Sequence, residues 1–163
     1  NYMNMSNVNK INLEERNFEF DLTEITTAKS GVAQTIANRV ITKYTASHLA
    51  RYNLTCMQWY IIGTTMEHLE DGITISQLAR KMGTTIPYMT NTINLLESRK
   101  LLTKTIDEND KRTKHINVNT KKISYFEEVE ESLREFLRAT IYPHITREEL
   151  TTYIKVLFKL SQL

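Results

Sequence analysis

Asn91 and Asn94 stand three residues apart in the run from Ile86 to Arg99. On a helix, Ile86, Met89, Ile93 and Leu96 share one side, and Pro87, Asn91, Asn94 and Ser98 share the other, flanked by Tyr88 and Thr90. A helix face that meets only water commonly carries Lys and Glu pairs. This one carries small hydrogen-bonding groups and a tyrosine. An asparagine amide can donate and accept at once, which suits adenine N6 and N7 in the major groove of duplex DNA, and a threonine methyl can touch a thymine methyl. Carboxylates on such a face would be repelled, and long cations would bind any sequence. The candidate base contacts are therefore Pro87, Tyr88, Thr90, Asn91 and Asn94. For this stretch alone, an ordinary polar helix face is the plain alternative.

Cations follow at the end of the helix. Arg99, Lys100 and Lys104, with Thr84 and Thr85 at its start, are the candidate phosphate contacts, which set position rather than read sequence. Next comes Asp107-Glu108-Asn109-Asp110-Lys111-Arg112, too polar to pack and flanked by alternating residues. In a tight hairpin, Asp110 can meet Arg112 and orient it outward. Asp110, Lys111 and Arg112 then suit a minor groove, whose negative potential attracts an inserted Arg. The plain alternative is an exposed turn with a weak ion pair.

These groups must be held by helices and one hairpin. A helical period runs from about Thr27 to Tyr52, with Val32, Ile36, Val40, Tyr44 and Leu49 recurring. A second helix is expected from Thr55 to Leu69, capped by Thr55, with Met57, Ile61, Ile62 and Met66 inward. Thr74 and Gln77 form a capping box for a short third helix. Ile75, Leu78, Ala79 and Met82 face inward on it, and Gly83 stops it in the left-handed conformation. Thr85 caps the polar-faced helix, with Pro87 in its first turn. Leu102–Asp107 and Thr113–Val118 read as two strands, with Ile106, Ile116 and Val118 on the apolar side. Asn119 is expected to cap a long helix to about Tyr142, which Pro143 ends. Phe126, Val129, Leu133, Phe136 and Thr140 form a 3-4 seam along it, fit for a partner helix. Thr146 and Glu149 make another capping box and open a final helix, marked on one face by Leu150, Ile154, Leu157 and Ser161. Near the start, Phe18, Phe20 and Leu22 alternate with acidic residues, as in a short strand or an extended arm.

Composition supports this reading and narrows the function. In 163 residues there are only 4 Gly and 2 Pro, which favours long helices. No apolar run approaches the roughly 18 residues of a membrane span, and no secretory pattern opens the chain, so the cytoplasm is the expected location. Net charge is only +2, yet residues 74–122 hold ten basic and four acidic groups, a surplus of six that leaves −4 on the rest. Attraction for a polyanion is thus concentrated where the reading helix and hairpin lie. Cys56 is the only cysteine. It is read as a packed thiol, with a redox sensor at a helix start as the alternative. His48, His68, His115 and His144 are scattered. No nucleophile–base, metal-ligand or phosphate-loop pattern is present, so neither an enzyme nor a cofactor is expected.

The region 54–119 resembles the MarR (multiple antibiotic resistance regulator) family of bacterial transcription factors. Leu54, Thr55 and Gln58 match the opening of the family's second core helix. Leu78, Ala79, Gly83, Thr85, Leu96 and Glu97 match its helix-turn-helix without a gap, and Asp110 and Arg112 match its Asp-x-Arg wing motif. Lys100 and Lys122 stand where the family usually has Gly, Asn119 where it has Thr, and Leu95 where a polar or basic residue is frequent. A Lys at 100 must adopt a strained conformation at a cost of about 1 kcal/mol, or the turn must differ.

The resemblance implies a mainly α fold with a small β-wing: a winged helix-turn-helix core flanked by long N- and C-terminal dimerisation helices. The organisation is then an N-terminal extension at 1–26, a dimerisation helix at 27–53, the DNA-binding lobe at 54–119 and dimerisation helices at 120–163. It further implies a homodimeric, ligand-responsive repressor acting on a near-palindromic operator, with double-stranded DNA, a second copy and a small-molecule effector as partners and no membrane. Tyr44, His48, Arg51, Tyr52 and Trp59 could line the effector pocket, although aromatics at helical spacing commonly serve as core. The competing function is a winged-helix protein-interaction module without specific DNA binding.

Overall fold

The computed structural model describes residues 22–107, 110–111 and 113–163. The alternating Phe18 and Phe20, and Arg112 at the hairpin tip, lie outside the described residues. The chain divides into two compact units, Asn1–Ala37 and Asn38–Leu163. In the first, a 3-10 turn at Leu22–Glu24 precedes the start of α1 (Thr27–Leu49). Thr26 Oγ1 accepts from the Lys29 N–H at 3.2 Å there, and Val32 and Ile36 are exposed.

The second unit holds the rest of α1, a 3-10 turn at Ala50–Tyr52, α2 (Cys56–Met66), β1 (Ile73–Thr74), α3 (Ile75–Lys81), α4 (Ile86–Ser98), β2 (Leu102–Ile106), β3 (Lys114–Val118), α5 (Ile123–Thr140) and α6 (Arg147–Leu160). It is a mainly helical winged helix-turn-helix. The sheet is antiparallel, in the order β1-β3-β2. Leu49, Ile61, Ile62, Leu78, Met89, Ile93, Leu96, Leu102, Ile116, Phe126 and Val129 form its core.

Threonine caps set the helix starts. Thr55 and Thr74 each close a capping box, with Gln58 and Gln77 respectively, and Thr146 closes one with Glu149. Each box satisfies N–H groups that a helix start leaves bare. Gly83, at φ 61°, ends the turn after α3. Gly72, at φ 70°, lies under the wing, where a Cβ would come within 2.9 Å of Asn117 Oδ1. Both the backbone angle and the close approach require glycine there.

Several expectations are corrected. The second helix ends at Met66, not Leu69, and turns lead on from it to Asp71. A third strand, β1, pairs Ile73 with Ile116 and Thr74 with His115; two residues are too few to show an alternating pattern. Asn119 caps a 3-10 turn at Thr120–Lys122, accepting from the Lys121 N–H at 3.2 Å, and α5 begins only after it. Ile106 shares the β2 face of buried Leu102 but is 61% exposed, because that end of the strand runs toward the wing tip beyond the helical layer. Ile86 is likewise exposed, since the inward angle of α4 leads past the core at its first residue. The seam on α5 is filled by this chain itself: Phe126, Val129 and Leu133 are core residues, and Phe136 stacks on His48. Helical spacing marks an apolar stripe without saying which surface meets it.

Candidate nucleic-acid interface

Helix α4 begins where Thr85 Oγ1 accepts from the Tyr88 N–H, with Pro87 in the first turn, where its missing N–H costs nothing. Met89, Ile93 and Leu96 are fully buried. Their burial locks the rotation of the helix and turns the opposite face outward. Pro87, Tyr88, Asn91, Asn94 and Ser98 are all exposed, and Thr90 is half-buried at their edge. The hydroxyls of Thr90 and Thr92 donate to the Ile86 and Tyr88 carbonyls, at 2.8 and 3.0 Å. The five expected base-reading residues therefore lie on one helix, and no acidic group stands among them.

The expected phosphate contacts behave differently from one another. Thr85 is exposed and Thr84 half-buried, its N–H donating to the Ala79 carbonyl at 2.9 Å. Lys100 is exposed at φ 59°, the left-handed conformation its position demands, and its carbonyl accepts from Asn119 Nδ2 at 2.8 Å. Arg99 is half-buried and reaches toward α2, Nη1 donating to Gln58 Oε1 at 3.5 Å. Lys104 is mostly covered. Its Nζ donates both to Glu97 Oε2 and to Asn94 Oδ1. Sequence reading placed Asn94 and Lys104 in separate roles, and it passed over Glu97 as a contact. The strand that leaves α4 brings residues seven and ten apart together, which helical spacing alone does not show.

The wing is built on Asp107. Its N–H donates to the Thr113 carbonyl at 3.0 Å, its Oδ1 accepts from the Asp110 N–H at 2.9 Å, and its Oδ2 lies 3.0 Å from His115 Nε2. Asp110 Oδ2 accepts from the Thr113 hydroxyl at 2.9 Å, so this carboxylate braces the turn. Lys111 is exposed. The expected partnership of Asp110 with Arg112 lies outside the described residues.

Of the expected effector residues, Tyr44, His48 and Tyr52 come together. His48 is buried, its Nε2 is 2.9 Å from Ser132 Oγ, and its ring stacks on Phe136 at 4.5 Å. Tyr44 approaches Phe136 and Tyr52 approaches His48. Burial, reinforced by the Arg51 charge, holds the His48 pKa below its ordinary value. Arg51 is exposed, and Trp59 belongs to the core. A cleft of about 360 Å³ opens beside this region, lined by Ala50, Asn53, Leu54, Thr55, Gln58, Leu95 and Arg99; none of the five residues lines it. Cys56 is half-buried at the start of α2, with Sγ 3.9 Å from the Thr42 carbonyl. Among the described residues, no group of three or more His, Cys, Asp or Glu is placed to hold a metal ion, and no helix is long and apolar enough to cross a membrane.

A hairpin wing beside a capped helix with a polar outer face defines a winged helix-turn-helix protein. Residues 52–113 match a model of the MarR family. Its members are regulators rather than enzymes. No curated protein matches the chain by sequence. Among solved structures, the MepR–DNA complex of S. aureus is 26% identical, with a TM-score of 0.67, over 86% of this chain and 100% of that chain. A mutant E. coli MarR complexed with operator DNA is 18% identical, with a TM-score of 0.70, over 80% and 91%. CouR from Rhodococcus jostii, bound to p-coumaroyl-CoA, is 14% identical, with a TM-score of 0.72, over 85% and 95%. The last two are likenesses of fold.

Proposed function

We propose that the protein is a homodimeric, ligand-responsive repressor that reads a near-palindromic DNA operator. The observation that carries this reading is the outer face of α4, where exposed Tyr88, Asn91 and Asn94 stand on a helix whose rotation is locked by buried Met89, Ile93 and Leu96. A face of hydrogen-bonding groups whose one neighbouring carboxylate, Glu97, is neutralised by Lys104 suits base edges, and exposed Lys100 and Lys111 suit the backbone on either side. The likeness to MepR, crystallised with DNA, supports it. Dimerisation is assigned to α6, whose Ile154, Leu157, Phe158 and Leu160 are all substantially exposed in the single chain. Effector response is assigned to the aromatic row of Tyr44, His48 and Tyr52, where α1 meets α5.

Selection from a randomised duplex library tests the reading. The expected site is two half-sites about one helical turn apart, roughly 34 Å between recognition helices. Inserting five base pairs between them turns the half-sites to opposite sides of the duplex and should abolish tight binding. Undiminished binding to that spacing would exclude the two-headed geometry. Binding that a polyanion competitor removes equally from every sequence would exclude sequence reading.

A further inference from the structure

The two asparagines on the reading face are not chemically equivalent. Asn94 Oδ1 accepts from Lys104 Nζ, and the same ammonium is held by Glu97 Oε2. An ammonium donates and cannot accept, so it can only meet the oxygen end of the amide. That contact fixes the amide's orientation, and Nδ2 has no partner among the described residues. Asn91 is exposed on the same face and makes no side-chain hydrogen bond among the described residues, so both ends of its amide are free.

We infer that Lys104, clamped by Glu97, is a specificity-determining residue: its ammonium takes one lone pair of the Asn94 oxygen and sets a positive charge beside it, which makes Asn94 chiefly a donor, while Asn91 remains a donor–acceptor reader. The inference rests on the proposed reading of DNA by α4. A free amide suits adenine, which offers an acceptor at N7 and a donor at N6. An amide whose oxygen already accepts from an ammonium gains less from N6–H, and the positive charge beside it favours guanine, whose N7 and O6 both accept. Cytosine, which presents a donor in the major groove, is disfavoured. Lys104 thus acts through Asn94 as a positioning residue, and its charge is matched by Glu97 rather than offered to phosphate.

The experiment is selection from a randomised duplex library by the full-length chain and its variants. Asn94→Ala identifies the base position that depends on residue 94. Guanine is expected there in the wild type. Lys104→Met keeps the length of the side chain but removes the donor, and should shift that position toward adenine by roughly five- to a hundredfold in relative affinity. Lys104→Arg, still a donor, should keep guanine. The position that depends on Asn91 should keep adenine throughout, a pattern that a general loosening of the fold would not produce. In the free protein, the Asn94 side-chain amide signals in a nitrogen-15 spectrum should move in Lys104→Met while those of Asn91 stay. Adenine at the Asn94 position in the wild type, or an unchanged base in Lys104→Met, would overturn the inference while leaving DNA reading intact. A wild type that selects no sequence would overturn the reading of DNA and this inference with it.

Discussion

Helices α4 and α6 are built from the same parts and end in opposite states. Each starts at a threonine cap, runs for 13 or 14 residues and carries apolar side chains along its length. In α4, Met89, Ile93 and Leu96 are fully buried, and the exposed face is largely polar. In α6 no residue is buried, and Tyr153, Ile154, Val156, Leu157, Phe158 and Leu160 are all exposed to 40% or more. The first helix has spent its apolar surface on its own chain and offers hydrogen bonds. The second offers apolar surface on several sides, more than a lone soluble helix normally shows. Periodicity supplies a stripe in both cases; only the chain's path decides whether the stripe becomes core or stays exposed.

The sharpest test of that contrast is truncation on each helix. Ile93→Ala should cost about 2–5 kcal/mol in urea denaturation, as loss of a fully buried side chain does. Leu157→Ala, measured in dilute protein, should stay within about 0.5 kcal/mol. Equal losses would erase the distinction between the two helices. Next, paired Ile154→Glu and Leu157→Glu should weaken self-association by at least about tenfold, roughly 1.4 kcal/mol, with far-UV circular dichroism unchanged. Sedimentation velocity across a concentration series reads this directly, and unchanged association would move the interface away from α6.

Smaller effects refine the comparison. Thr85→Ala and Thr146→Ala each remove a cap and should each cost about 1 kcal/mol. The first should register fully in global stability and the second mainly as fraying of α6 in amide exchange. Lys100→Gly should stabilise the protein by up to about 1 kcal/mol in thermal melts, because glycine adopts the φ of 59° without strain. The least effect concerns pH. Hydrogen bonding to the Thr146 backbone N–H and side chain holds the Glu149 carboxyl below its ordinary value of 4.5. Its contribution to α6 is therefore present above that value and lost as pH falls through the lower folded value. Helicity melts on acidification should show this loss, and Glu149→Gln should remove it.

The helical frame was legible in the sequence because its punctuation is local. Thr55, Thr74, Thr85 and Thr146 cap where they were expected, and Gly83 and Lys100 are left-handed as their positions required. Local signals also located the outer face of α4 and the hairpin behind it. What was not legible depends on distant partners. The α5 seam reads the same whether it meets another copy or, as here, the chain's own core. Strand β1 exists only because β3 lies beside it. The tie from Lys104 to Asn94 and Glu97 appears only once β2 folds back along α4, and the grouping of His48 with Ser132 and Phe136 joins residues more than eighty positions apart.

Thr74 belongs to two structures at once, the sheet and the capping box of α3. Its backbone pairs with His115 in the wing sheet, its hydroxyl caps α3, and its own N–H is held by Gln77. From His115 the path crosses to β2, along β2 to Lys104, and from Lys104 to Asn94 and Glu97 on α4, which packs against α3. The contacts close a ring. In mechanical terms this is a linkage without a free end: α4 cannot roll in a groove without drawing on β2, and the wing cannot swing without pulling at the cap of α3. On the proposed reading of DNA, helix, turn and wing would therefore meet a duplex as one tool head, with the spacing between helix and wing set before contact.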